Sequence, residues 1–154
     1  HAGAGNDKIQ AGGGNNSIYA GDGHDVVRAG GGDDTVYADS GDDDIVVGAG
    51  DHSIYGDDGD DVIVISGAGR NNVYAGAGHD AVSTGNGADQ VYGSEGNDRI
   101  ATADGDDRLD GSDGDDWLSG GDDDDTIYAG DGDDVARGGN GNDECYSAEE
   151  TSDC

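Results

Sequence analysis

From Ala2 to Tyr146 the chain says one nine-residue phrase over and over: AGAGNDKIQ, AGGGNNSIY, AGDGHDVVR, AGGGDDTVY, and so on to GGNGNDECY. Sixteen such units fill residues 2–146, with one extra residue, Ile65, between the seventh and the eighth. Position four is Gly in fifteen units, Asp123 being the exception. Position six is Asp in thirteen, with Asn16, His52 and Asn71 as the departures. Position eight is Ile, Val or Leu until Ala136 and Cys145 close the series. A register held through sixteen units makes each unit one step of a stacked architecture, whose core exists only between neighbours.

The phrase itself says what the step looks like. Gly permits positive φ and close backbone approach, as a tight turn needs. A β-branched residue between two outward positions suits a short strand with one buried face. Composition then sets a condition on folding. Thirty-seven acids face six Lys and Arg in 154 residues, a formal net charge of −31, and 31% of residues are hydrophobic. So little apolar matter with so much like charge stays disordered unless something neutralises the carboxylates. Nucleic acid and anionic membrane surfaces are repelled by this chain, whereas polyvalent cations are drawn to it. Carboxylates at fixed spacing beside turn carbonyls supply the hard oxygen ligands that calcium takes.

The phrase resembles the nonapeptide of the RTX (repeats-in-toxin) family, G-G-x-G-x-D-x-U-x with U a large aliphatic residue, over nearly the whole chain. The resemblance implies an all-β fold, a right-handed parallel β-roll in which six residues turn and bind calcium and three form a strand. Two units make one coil, so about eight two-strand coils span residues 1–146, roughly 40 Å at the spacing of strands. Residues 147–154 read as a degenerate C-terminal coil or cap. In the family a calcium ion sits between turns of successive coils on one edge, so eight turns leave seven gaps per edge and at most fourteen ions. On this basis the metal ligands are Asp7, Asp25, Asp43, Asp61, Asp80, Asp98, Asp116 and Asp134 of the odd units and Asp34, Asp89, Asp107, Asp125 and Asp143 of the even units. Asn16, His52 and Asn71 all fall on the even edge, which is expected to bind more weakly, around units two to ten. Ile65 is expected to form a local bulge, since one extra residue must leave the coil or flip its register.

Sorting the units by parity separates two faces. All seven tyrosines, Tyr19, Tyr37, Tyr55, Tyr74, Tyr92, Tyr128 and Tyr146, occupy position nine of even units, and only Asp110 interrupts them. They are expected to form one exposed ladder, a candidate assembly face. The odd sheet sends out Val26, Val46, Val62, Val64, Ala81, Ala101, Trp117 and Val135, mixed with Lys8, Arg28, Arg99 and Arg137. Apolar stripes of that extent mark contacts.

Enzymatic chemistry finds no footing. General acid–base work by the carboxylates requires a cleft and separated pKa values, and a roll with a filled interior offers neither. His24 and His79 at position five, and His52 at position six, read as turn residues rather than zinc ligands. The Gly-rich turns precede strands rather than helices, and their acids repel phosphate. No apolar run is long enough to span a bilayer or serve as a signal peptide, so the chain reads as a processed product or a piece of a longer protein. The repeat begins directly after His1 without a cap, an edge that another subunit is expected to cover.

The reading is therefore of an extracellular, calcium-binding structural subunit, not an enzyme, that assembles with copies of itself into a filament or matrix. The alternatives are the calcium-folding segment of a larger secreted toxin, adhesin or hydrolase, and a stand-alone surface-binding module using the tyrosines. The only cysteines, Cys145 and Cys154, lie nine residues apart in the last units. Continuing the count puts both at the inward position eight, facing across the interior, where a disulfide is expected to tie down the tail in an oxidising setting. A bond between subunits is the alternative.

Overall fold

The computed structural model describes residues 1–154 and contains strands and turns but no helix. Seventeen strands, numbered in chain order from β1 (Lys8–Gln10) and β2 (Ser17–Tyr19) to β16 (Glu144–Tyr146) and β17 (Glu150–Ser152), form two sheets. Odd strands make a nine-stranded sheet and even strands an eight-stranded one, each in strict numerical order, and every pairing is parallel. The chain thus crosses from one sheet to the other at every turn. This is a β-solenoid of about eight coils, the β-roll that the nonapeptide implies.

Position eight holds the interior, as the pattern requires. Ile18, Val27, Val36, Ile45, Ile54 and Ile63 are fully or almost fully buried, and so are their successors to Ala136. A second inward column stands two residues further on, at position one of the next unit, because alternate strand residues share a face. Ala20, Ala38, Val47, Ala75 and Ala129 fill it. Twenty buried apolar residues make up the whole core, a column one side chain thick. That is too little to hold down the chain against its charge on apolar burial alone, so the turns have to supply cohesion.

Ile65 forms no bulge. It extends β7 (Val62–Ile65) and pairs with Val47 in β5 (Asp44–Val47), and both side chains point inward. The register between coils is still 18 residues at Val47–Ile65 and becomes 19 at Ser53–Asn72. The extra residue is therefore taken up in the turn of residues 66–70. An aliphatic residue at an inward position gains more by continuing the strand than by leaving it, and a turn absorbs length at little cost.

The tail departs from the expected register too. β17 pairs with β15 (Val135–Asn140) so that Thr151, not Cys154, lies beside Ala136 at the inward position. The seventeenth turn is three residues shorter than the others, and Cys154 falls beyond the strand. It nevertheless reaches back to Cys145 on the opposite sheet, with Cα atoms 5.8 Å apart, and the disulfide forms within the chain.

Candidate metal centre

Each turn is shaped by its glycines. At position four, Gly114 has φ +134°, and a Cβ there would run into the carbonyl oxygen of Gly96 one coil earlier. Asp123, the one non-glycine at this position, accepts φ 81°. At position one, a Cβ on Gly111 would collide with Oδ2 of Asp116 in the same turn. The glycines thus clear space for backbone to stack on backbone and for a carboxylate to lie inside the turn.

That carboxylate is the position-six Asp, and its two oxygens have different surroundings. Oδ1 accepts a hydrogen bond from the backbone N–H of the position-six residue one coil earlier. On the odd edge this runs without a break from Asp7 to Asp134: Asp7 N–H to Asp25 at 2.7 Å, Asp25 to Asp43 at 2.6 Å, Asp43 to Asp61 at 2.8 Å, and onward. Oδ2 is buried and has no partner in twelve of these residues: Asp25, Asp34, Asp43, Asp61, Asp80, Asp89, Asp98, Asp107, Asp116, Asp125, Asp134 and Asp143. A buried carboxylate oxygen without a partner costs several times an ordinary hydrogen bond, and here the deficit recurs at every coil.

The protonation equilibria carry the same message. Burial, reinforced by the neighbouring carboxylates, pushes Asp61, Asp98 and Asp107 up to about 7. Burial likewise raises Asp43, Asp80, Asp116 and Asp125 to about 6, with the ladder hydrogen bonds opposing. Without a counter-charge these groups take up protons between about 7 and about 6, well above the ordinary carboxylate range.

A second ladder runs outside the first, through position five, with the opposite sense. Here the side chain accepts from the N–H of the next coil: the backbone N–H groups of Asp60, Asp115 and Asp133 donate to Oδ1 of Asp42, Asn97 and Asp115 at 2.9–3.1 Å. His24 and His79 belong to it, Nδ1 of each accepting the N–H of Asp42 and Asn97 at 3.0 and 2.8 Å. Their role is thus structural within the turn stack. On the even edge this ladder breaks. Arg70 has no acceptor and Ala88 no polar side chain, so the N–H groups of Ala88 and Asp106 find none there.

Nowhere do three His, Cys, Asp or Glu side chains converge on one point. Each gap on the odd edge, and each of the last three on the even edge, instead brings two carboxylates together beside the Gly-rich turns. Matching the RTX calcium-binding nonapeptide repeat model, in its four-copy form, are residues 1–36, 37–65, 63–91, 83–118, 92–127 and 110–145. The chain belongs to the RTX calcium-binding repeat family. No curated protein and no solved structure matches it. Calcium-binding repeats account for the donor set of this RTX roll, all hard oxygen with charge shared between adjacent coils.

One residue of the inner ladder and the whole outer ladder escape the reading of the sequence. Glu149, in the shortened last turn, accepts the N–H of Asp134 at 2.8 Å and ends the odd ladder in place of an Asp. Its longer side chain spans the distance that the missing residues leave, and only its place after Asp134 could have pointed to it. Of the position-five row the sequence singles out only His24 and His79, as turn residues.

On the faces, the tyrosines stand where parity puts them. Tyr19, Tyr37, Tyr55, Tyr74 and Tyr92 form a continuous stack with ring centroids 4.9–5.1 Å apart and planes within 12° of parallel. His1 adds a ring at its start. At the Asp110 interruption, the Arg108 guanidinium lies 4.2 Å over the ring of Tyr128, and Tyr128 stacks on Tyr146. Each ring covers its neighbour's face, so the ladder presents ring edges and hydroxyls outward. On the odd sheet Trp117 is covered by Arg99 at 3.9 Å, with Arg137 at 5.6 Å.

Proposed function

We propose that the chain is an extracellular calcium-binding β-roll that folds as its ladder carboxylates take up calcium, and that it is a structural subunit assembling with copies of itself. The observation that carries the calcium reading is the row of twelve buried, unpartnered Oδ2 atoms. Asp25, Asp43, Asp61, Asp80, Asp98, Asp116 and Asp134 on the odd edge, with Asp7 at its start, would hold the ions. Asp34, Asp89, Asp107, Asp125 and Asp143 would hold them on the even edge. Calcium there would supply the missing positive partner for each Oδ2 and cancel the repulsion along the edge. Sites of extracellular type bind at about 10⁻⁴ to 10⁻³ M, a range that leaves the chain unfolded at cytosolic calcium and folded outside.

Assembly is supported by the two faces. One offers a hydroxyl-edged tyrosine stack, large in apolar area and already ordered. The other carries Val62, Val64 and Ala81 beside Arg99, an apolar strip with cationic margins on a strongly acidic molecule. Circular dichroism during a calcium titration tests folding, and sedimentation in excess calcium tests assembly. Strand signal is expected to appear with calcium and vanish with chelator. The triple variant Tyr55→Ser, Tyr74→Ser, Tyr92→Ser is expected to fold with calcium yet associate more weakly. Full strand signal in chelator would sink the first statement, and unchanged association of the variant the second.

A further inference from the structure

Three turns of the even edge lack the carboxylate, and in each an N–H group stands among the turn oxygens. Asn16 points Nδ2 at the carbonyls of Gly14 and Gly12, 2.6 and 3.3 Å away, and at Oδ1 of Asp34, 2.8 Å away. Asn71 does the same toward the Gly69 carbonyl and, at 2.9 Å, Oδ1 of Asp89. Its own Oδ1 takes over the ladder bond from the N–H of His52 at 3.1 Å.

His52 is fully buried, and its tautomer follows from its partners. The backbone N–H of Asp34 donates to Nδ1 at 3.2 Å, so that nitrogen carries a lone pair. The ring proton is on Nε2, where it meets the carbonyl of Gly48 at 3.2 Å. Oδ2 of Asp34, 3.7 Å from Nδ1, lies outside hydrogen-bond range. With its one lone pair engaged by Asp34, this imidazole has nothing left to offer a metal ion.

In all three turns a side-chain N–H gathers the carbonyls of position two or four, and in the asparagine turns a neighbouring carboxylate as well. In the aspartate turns no donor reaches Oδ2. We propose that Asn16, His52 and Asn71 are built-in substitutes for the cation. Their N–H groups supply the positive end that calcium supplies elsewhere, and their neutrality removes the charge that would call for it. The four even gaps between Asn16 and Asp89 therefore close without ions, and Asp34, named above among the even-edge ligands, is withdrawn from them: Asn16 holds its Oδ1, while its Oδ2 stays without a partner. This rests on the calcium reading above and refines it.

Of the seven gaps on the even edge, only Asp89–Asp107, Asp107–Asp125 and Asp125–Asp143 have a carboxylate on both sides. With the seven gaps between Asp7 and Asp134 on the odd edge, the molecule takes about ten ions rather than fourteen. Half of one edge is a hydrogen-bonded seam that calcium neither makes nor breaks.

Native mass spectrometry of the full chain in calcium, with and without the changes Asn16→Asp, His52→Asp and Asn71→Asp, tests this. The unchanged chain is expected to hold about ten ions and the triple variant up to four more. Should the triple variant fail to fold, Asn71→Asp alone, which makes a new carboxylate pair only with Asp89, is expected to add one. Fourteen ions on the unchanged chain, or no gain in either variant, overturns the proposal while leaving calcium binding intact. Absence of bound calcium from every protein overturns the calcium reading itself. Nitrogen NMR of His52 gives a readout independent of ion count: the Nε2–H tautomer is expected, and a proton on Nδ1 overturns the assignment.

Discussion

The two edges of the roll are built from the same phrase and solve the same problem differently. Along the odd edge every position-six residue from Asp7 to Asp134 is a carboxylate, and each Oδ1 holds the coil before it at 2.6–2.8 Å. Along the even edge the first half carries Asn16, His52 and Asn71 with Asp34 as its one carboxylate, and the ladder bonds are 3.2 and 3.1 Å where His52 and Asn71 accept. The odd edge is thus strongly charged and dependent on an outside partner. The even edge is partly self-sufficient and partly defective, since its outer ladder also fails at Arg70 and Ala88. A repeat can therefore keep its geometry through either of two chemistries, provided some positive group sits among the turn oxygens.

Acid should show the contrast most strongly. Five of the seven carboxylates raised to about 6 or 7 lie on the odd edge: Asp43, Asp61, Asp80, Asp98 and Asp116. Their folded values stand above the unfolded 3.8, so in the calcium-free chain the fold binds their protons more tightly than the unfolded state does. That contribution is complete below pH 3.8 and is lost as pH rises through 6 to 7. Calcium-free protein is expected to gain strand signal as pH falls from about 7.5 to 5, with odd-edge amides gaining hydrogen-exchange protection first. Protection that appears first around His52 would reverse the comparison.

A smaller effect separates single sites. Asp98→Ala leaves the buried N–H of Asp80 without an acceptor, about 1–3 kcal/mol, and also removes a carboxylate from two ion gaps. Asp34→Ala strips the acceptor from Asn16 alone and touches only gaps that close by N–H groups. Both variants are expected to lose stability. Only Asp98→Ala should shift the calcium midpoint of folding severalfold and lower the number of ions bound. Equal midpoint shifts in the two titrations would remove the distinction between edges.

The smallest effect comes from repairing the even edge. Ala88→Asn restores an acceptor beneath the N–H of Asp106 in the outer ladder, and is expected to stabilise the calcium-loaded protein by about 0.5–1.5 kcal/mol. A rise in thermal midpoint at fixed calcium checks it. No rise would mean that the outer ladder orders the turns without holding them.

Much of this architecture was legible because a nine-residue period leaves few ways to fold. Position eight alone placed the core, and the parity of Tyr19 to Tyr146 placed a ladder on one sheet. What period reasoning handled badly were the places where the period fails. The period makes Ile65 an intruder, although an inward Ile is worth more in the strand than out of it. The period puts Cys154 at position eight, but the last turn is short and Thr151 takes that place. The cysteines still meet because the tail is free to fold over the end of the coil. Within the site, the residue type at position six was plain, whereas the direction of its polar atoms was not. An Asn at that position offers either an oxygen or an N–H, and only its neighbours decide which.

The separation of aromatic residues between the sheets has an optical consequence. All seven phenols lie on one sheet, five of them stacked closely enough for their transitions to couple, and the sole indole lies on the other sheet between two guanidinium groups. The near-ultraviolet spectrum therefore contains two separately addressable signals, an exciton-coupled band that exists only while the coils are in register and an emission that responds to whatever touches the opposite surface. Winding of the solenoid and contact on its valine side can be followed independently, in the same sample and without a label.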